Sequence, residues 1–196
     1  FLLTVIPITD PCNYDTEAPT ITCPSDIVVP GESGNCGATV NFSAPVGTDN
    51  CSNTTTLQVA GLGSGGFFPV GVTTNVFRAN DDLGNASECS FSITVTDWEA
   101  PAITCQSVSV NLDANGNAVV DANAFIVSSS DNCGSLSVAV NTGVLDCSDI
   151  GTQSVILTAT DGSGNFKNCQ TTVTVFDNLP PTAVCTNAVS YTHLRA

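Results

Sequence analysis

Three basic residues and a single histidine stand against 18 acidic side chains in 196 residues, and each shortage excludes a class of function. Arg78, Lys167 and Arg195 cannot neutralise a nucleic-acid backbone, so nucleic acid is excluded as a partner. A formal net charge of −15 keeps the chain off an anionic membrane surface. The apolar run at Phe1 to Ile8 is too short to insert as a membrane span and contains Pro7. The one histidine, His193, lies in an atypical tail, which leaves no imidazole for a catalytic triad or general base elsewhere. Methionine is absent, and no two of the ten cysteines are as close as C-x-x-C, the spacing a zinc site needs. The glycine run Gly61-Leu62-Gly63-Ser64-Gly65-Gly66 is followed by no helix, so it reads as a hairpin loop and not as a phosphate cradle. Paired carboxylates could hydrolyse glycosides, but Trp98 is the only tryptophan available to stack on a sugar. The chain reads as no enzyme.

What is abundant is cysteine, aspartate and repetition. Ten cysteines with few charges suit an oxidising, extracellular compartment. Asp15-Thr16-Glu17-Ala18-Pro19-Thr20-Ile21-Thr22-Cys23 returns as Asp97-Trp98-Glu99-Ala100-Pro101-Ala102-Ile103-Thr104-Cys105, an offset of 82. Asp49-Asn50-Cys51 returns as Asp131-Asn132-Cys133, and Asp81-Asp82-Leu83-Gly84-Asn85 as Asp161-Gly162-Ser163-Gly164-Asn165. A third opening comes at Asp177 to Cys185.

The implied organisation is residues 1–14 as the last strand of a preceding repeat plus linker, 15–97 and 98–177 as two full units, 178–190 as the start of a third, and 191–196 as the atypical tail. The piece therefore reads as cut from a longer array, with any secretion signal upstream or already removed. Period-two alternation of β-branched and aromatic residues at 36–42, 55–60, 73–79 and 91–96 predicts strands, and residues 121–126 at most one helical turn. The expected fold is all-β: tandem immunoglobulin-like β-sandwich domains on short linkers, stapled by disulfides because units this small bury little surface.

Each full unit has four cysteines, which by themselves allow three connectivities. If pairs stay within a unit and both units share a topology, comparison of the copies gives Cys23–Cys89 and Cys105–Cys169 as the constant pair. Cys36–Cys51 and Cys133–Cys147 are then left over. Cys185 is expected to pair within the third copy. Cys12 has no counterpart and is expected to be free or bonded to another chain.

The sequence resembles the hyalin repeat family. The resemblance rests on Asp-x-x-Ala-Pro-x-Ile-Thr-Cys-Pro at 15–24, Asp49-Asn50-Cys51, Phe68-Pro69-Val70-Gly71, the Asp-x-x-Gly-Asn ending at Asn85, and Cys89-x-Phe-x-Ile-x-Val. The second copy departs from it: Gln106 replaces a proline, Cys147-Ser148-Asp149-Ile150-Gly151 replaces Phe-Pro-Val-Gly, and one cysteine has moved. It resembles the divergent repeats of large bacterial surface proteins. The resemblance implies an immunoglobulin-like fold and a non-catalytic extracellular role in adhesion or matrix assembly.

No cofactor is required by this reading, and one is suggested. An immunoglobulin-like sandwich brings its opening segment, one interstrand loop and its last hairpin to one pole. Those places hold Asp15, Glu17, Asp49, Asp81 and Asp82 in the first copy, and Asp97, Glu99, Asp131 and Asp161 in the second. Ca²⁺ takes six to eight such oxygens, and the layout resembles the calcium-stiffened junctions of cadherins. The competing reading is that Asp and Asn simply make good turns.

Two roles compete as well. One is a building block of a fibre, stalk, filament or surface matrix, secreted or held at the cell surface. Its partners are neighbouring repeats or copies of itself, joined by β-strand addition through Phe1, Leu3, Val5, Ile6 and Ile8. The other is a ligand- or cell-binding adhesin module, with Phe67 as its best contact and Phe68 as either contact or core.

Overall fold

The computed structural model describes residues 11–51 and 53–180. Strands dominate because the alternating segments each have one face to bury. In β6 (Ala86–Thr96) Phe91, Ile93 and Val95 point inward, and in β5 (Gly71–Asn80) Asn75, Phe77 and Ala79 do. Among the described residues, helix is confined to α1 (Ala122–Phe125), capped by Asp121, and to two 3₁₀ turns at Pro11–Tyr14 and Cys147–Asp149. No helix among them is long and apolar enough to cross a membrane.

The chain divides into two compact units. The first comprises Phe1–Pro101 together with Ser130–Leu136 and Thr160–Phe166. It contains a four-stranded sheet in the order β1 (Ile27–Pro30), β6, β5, β3 (Thr55–Ala60), and a two-stranded sheet of β2 (Gly37–Val40) and β4 (Gly66–Pro69). Its core is Ala38, Val40, Phe68, Phe77, Phe91, Ile93 and Val95. Phe42 meets Phe68, Phe77 and Phe91 edge-on at 5.1–6.5 Å between ring centroids. Phe68 is fully buried, whereas Phe67, one step along β4, is half exposed.

The second unit comprises Ala102–Ser129, Ser137–Ala159 and Lys167–Ala196. Its main sheet runs β11 (Leu136–Val140), β13 (Gly151–Asp161), β14 (Phe166–Phe176), β8 (Val108–Asn111). Two short ladders complete it, β7 (Ala102–Cys105) with β10 (Ile126–Ser130) and β9 (Asn117–Val119) with β12 (Val144–Asp146). Phe125, Leu145, Val155, Leu157, Val173 and Val175 lie at the centre of its core.

In both sandwiches an early strand lies parallel to the last one, Ile27 opposite Ile93 and Val108 opposite Val173. Parallel pairing brings the starts of the two strands to the same end, where a disulfide can join them. Cys23–Cys89 and Cys105–Cys169 are bonded there, with Cα atoms 5.6 and 6.2 Å apart.

The other two expected pairs do not form. Cys51 bonds Cys12, and Cys36 bonds Cys133. Cys12 is therefore neither free nor bonded to another chain, and among the described residues Cys147 is the free thiol, exposed to solvent. The assumption that failed was that each pair stays within its own repeat. Both Asp-Asn-Cys loops instead bond a cysteine upstream of their repeat's opening aspartate: Cys12 precedes Asp15, and Cys36 precedes Asp97. Glu99 fixes the second arrangement, because its carboxylate accepts from Ser33 Oγ (2.7 Å), Gly34 N (2.7 Å) and Asn132 Nδ2 (2.8 Å), which brings Cys36 and Cys133 to adjacent loops. The segment Phe1 to Ile8, Cys185 and the tail 191–196 lie outside the described residues.

Candidate functional site

Each repeat gathers three aspartates from three separate places in the chain. Asp15 follows the 3₁₀ turn Pro11–Tyr14. Asp49 sits in an irregular stretch held by the paired backbone bonds of Thr20 and Thr48 (2.7 and 2.9 Å). Asp81 follows β5 directly. In the second set Asp97 follows β6, Asp131 follows β10, and Asp161 ends β13.

The strand period explains the third member of each set. Val155, Leu157 and Ala159 fill the core from alternate positions of β13, and Asp161 is the next position on that inward row, only 8% exposed. Asp81 continues the row of Asn75, Phe77 and Ala79 in the same way.

Within Asp15, Asp49 and Asp81, one carboxylate oxygen from each lies within 4.8 Å of the other two, and the same holds for Asp97, Asp131 and Asp161. These are the two such groups among the described residues. The second lies wholly in the first compact unit.

The oxygens divide into two kinds. Asp15 Oδ1 accepts from Glu17 N (3.0 Å), Asp97 Oδ1 from Glu99 N (3.1 Å) and Asp131 Oδ2 from Cys133 N (2.7 Å). Those are the turn-forming bonds that aspartate makes anywhere. The second oxygen of each, together with Asp49 Oδ2, is buried without a hydrogen-bond partner. A buried carboxylate oxygen with no donor is costly, and turn chemistry does not account for it.

Asp81 and Asp161 are anchored differently. Asp81 Oδ1 accepts from Leu83 N (2.9 Å) and Asn85 N (2.8 Å), and its Oδ2 from Asn85 Nδ2 (2.7 Å). Asp161 repeats this with Ser163 N (2.9 Å), Asn165 N (2.8 Å) and Asn165 Nδ2 (2.9 Å). Burial works against the ionised form of Asp81, but the bonds from the Asn85 side chain and the amides of Asn85, Gly84 and Leu83 outweigh it and hold the carboxyl below its ordinary value. Asp161 is held down similarly: burial opposes ionisation, and Asn165, Ser163 and Gly164 outweigh it. Asn85 Nδ2 also reaches Asp15 O (3.1 Å), and Asn165 Nδ2 reaches Asp97 O (3.4 Å), so each asparagine ties two members of its set together.

Three other residues singled out in the sequence stand outside the clusters. Glu17 is exposed and contributes only its amide. Asp82 is exposed and accepts from Asn53 Nδ2 (3.0 Å). The carboxylate of Glu99 is taken up by Ser33, Gly34 and Asn132, and the bonds from Ser33 and Gly34 hold it below its ordinary value. Asn85 and Asn165 are the positioning residues that sequence reasoning passed over, although the recurring Asp-x-x-Gly-Asn carried the signal.

Residues 14–95 match the HYR domain. The chain is 34% identical over 200 residues to hyalin of Strongylocentrotus purpuratus, covering 93% of this chain and 16% of that protein. It is also 34% identical over 161 residues to the sushi, von Willebrand factor type A, EGF and pentraxin domain-containing protein 1 of Rattus norvegicus, covering 79% of this chain and 4% of that one. Hyalin of Lytechinus variegatus is 30% identical over 183 residues, 89% of this chain and 34% of that protein. The chain thus spans a small part of the length of the relatives it matches. Among solved structures, human mucin-like protocadherin EC1-2 aligns at a TM-score of 0.40 with 10% identity, over 81% of this chain and 98% of that one; at that score the likeness bears on neither function nor ions.

Proposed function

We propose that this chain, whose residues 14–95 belong to the HYR family of non-catalytic repeat modules, serves as structural and adhesive material outside the cell, with each aspartate triad holding a calcium ion. The supporting observation is the set of four buried carboxylate oxygens without a donor, contributed by Asp15, Asp49, Asp97 and Asp131. A bound cation would satisfy several such oxygens at once. The donors are all hard oxygens, which suits Ca²⁺, and their irregular arrangement suits it better than Mg²⁺ with its strict octahedron.

Bound there, the ion neutralises carboxylates that otherwise repel one another. Asp15, Asp49 and Asp81, or Asp97, Asp131 and Asp161, would be its ligands. Asn85 and Asn165 orient one ligand each, and the short hydrogen bonds of the turns keep the remaining oxygens aimed inward. Disulfides do the complementary work of holding strand ends and loops in place. A fibre, stalk, filament or surface matrix built of such units, with neighbouring repeats or copies of itself as partners, is the role this supports.

One observation favours the adhesin reading as well. Phe67 leaves 50% of its surface exposed on a short strand beside the glycine loop, where an apolar contact would be available to a ligand. The two readings separate on calcium. A fibre or matrix role predicts that chelation loosens the repeats. An adhesin role centred on Phe67 predicts that Phe67→Ser abolishes attachment while the response to chelator is unchanged.

A further inference from the structure

The acceptor triplet Asn-x-Ser/Thr occurs four times in the first copy and nowhere else in the chain: Asn41-Phe42-Ser43, Asn50-Cys51-Ser52, Asn53-Thr54-Thr55 and Asn85-Ala86-Ser87. Triplets of this kind arise by chance in a chain rich in Ser, Thr and Asn, so the surroundings of each side-chain amide decide between them.

Asn85 is committed elsewhere. Its Nδ2 has two protons, and both are donated, one to Asp81 Oδ2 (2.7 Å) and one to Asp15 O (3.1 Å). A sugar on that nitrogen would replace one proton and break one of these bonds at the first aspartate cluster. Asn53 donates to Asp82 Oδ2 (3.0 Å) from a backbone held at φ +84°. The triplet at Asn50 runs through Cys51, which is bonded to Cys12, and ends outside the described residues.

Asn41 differs from all three. It follows β2 directly, and both Asn41 and Ser43 are exposed. Phe42 between them turns inward onto Phe68, Phe77 and Phe91, so the core holds the two polar ends of the triplet outward. Asn41 Nδ2 donates to no group among the described residues. The space beside it is open: a Cβ on Gly63 would meet nothing within 4 Å, and one on Gly65 would meet only Asn41 Oδ1, at 3.4 Å. That glycine loop is nevertheless firm. Ser64 Oγ accepts the amide of Phe42 (2.8 Å) and donates to its carbonyl (2.6 Å), while Gly65 N donates to Val40 O (2.8 Å). A bare backbone shelf therefore stands beside an unengaged amide at the end of a fixed strand. Thr39, exposed two residues earlier, pairs with Phe67 across β2 and β4, which puts that half-exposed ring on the same outward face.

We infer, on the extracellular reading of the chain, that Asn41 carries an N-linked oligosaccharide and that Asn85 stays unmodified in the folded protein. The donor is an oligosaccharide joined through C1 to a lipid pyrophosphate. The bond from C1 to the phosphate oxygen breaks as the bond from Asn41 Nδ2 to C1 forms. The lipid pyrophosphate leaves, Nδ2 gives up one proton, and nothing is oxidised or reduced. The bulky, hydrated product stands in solvent, where it disturbs no bond of the fold.

The test is peptide mapping of the protein secreted by its source cells, with free thiols alkylated and no reductant. Release by a peptide N-glycosidase in heavy-oxygen water turns each glycosylated asparagine into a labelled aspartate. The expected map has label at Asn41 and none at Asn85. Asn41→Gln and Ser43→Ala, expressed in the same cells, should each lose the mass of one glycan while the Cys23–Cys89 bond persists. Asn41 without label, Asn85 with label, or Ser43→Ala still modified at Asn41 overturns the inference. When Asn41 is bare, Cys23 and Cys89 found bonded in the same digest leave the extracellular reading standing, and both found alkylated remove that reading too.

Discussion

Asp131 receives the amide of Cys133 on Oδ2 at 2.7 Å, while its Oδ1 is buried with no donor. One oxygen shapes the turn and the other is left over for something else. The same division holds at Asp15 with Glu17 and at Asp97 with Glu99. It separates the turn-forming role of these aspartates from the ion-binding role proposed for them.

Asp131→Asn keeps an oxygen for the Cys133 amide but removes a negative charge from the triad. Calorimetric titration should show calcium affinity at that site falling by roughly tenfold or more. In chelator, the melting midpoint should stay level or rise, because carboxylate repulsion has been relieved. A lower midpoint in chelator with unchanged affinity would mark Asp131 as structural only.

Asp81 and Asp161 have folded-state values below the ordinary 3.8 of an aspartate. For a lowered value, the stabilisation is complete above the unfolded value and is lost as pH falls through the folded one. Calcium-free protein should therefore hold its melting midpoint down to about pH 4 and lose stability progressively below that. Asn85→Ala removes a donor that offsets burial of Asp81 and so raises its folded-state value, which should lower the midpoint at neutral pH and make the further loss on acidification smaller. Thermal melts across a pH series read both effects.

Phe67 and Phe68 are neighbours with opposite surroundings, one half exposed and the other at 0%. Phe68→Ala should cost about 3–5 kcal/mol of unfolding free energy in denaturant titration, as core truncations do. Phe67→Ser should cost about 1 kcal/mol or less, as at exposed sites generally. Equal losses would show that the exposed ring is structural, which would remove the best contact for the adhesin reading.

Cys23 and Cys89 close a loop across 66 residues. Replacing both by serine should cost about 4 kcal/mol on the chain-entropy estimate, and the Cys105–Cys169 pair, at a separation of 64, about the same. Denaturant melts of the double variants measure this. A change under about 1 kcal/mol would mean that the cores hold without these bridges.

The parts of this molecule legible in sequence are those that recur in both copies at nearly one offset. The strands around Phe91 and Phe77, the bonds Cys23–Cys89 and Cys105–Cys169, and the six clustered aspartates all do so. Even the helical turn Ala122–Phe125 is signalled, by Asp121 before Ala122-Asn123-Ala124-Phe125. The Cys12–Cys51 and Cys36–Cys133 pairs are not legible, because only one end of each, Cys51 and Cys133, recurs at the repeat offset while Cys12 and Cys36 do not, and comparing repeats cannot reveal a bond that leaves its repeat. Glu17, Asp82 and Glu99 mislead for a related reason. Charge and proximity in sequence are visible, but whether a carboxylate meets the cluster or a backbone amide depends on loop geometry.

The most direct test is the thermal melt of the disulfide-intact protein in chelator and in excess calcium. At a hundredfold excess over the dissociation constant, one bound ion adds about 2.7 kcal/mol. In a chain of this size that corresponds to a rise of roughly 5–10 °C. Calcium should raise the midpoint by at least that much, magnesium by distinctly less, and the rise should shrink in Asp131→Asn and Asp49→Asn. Midpoints that coincide in calcium and chelator would contradict the account, leaving the buried oxygens of Asp15, Asp49, Asp97 and Asp131 without the partner proposed for them.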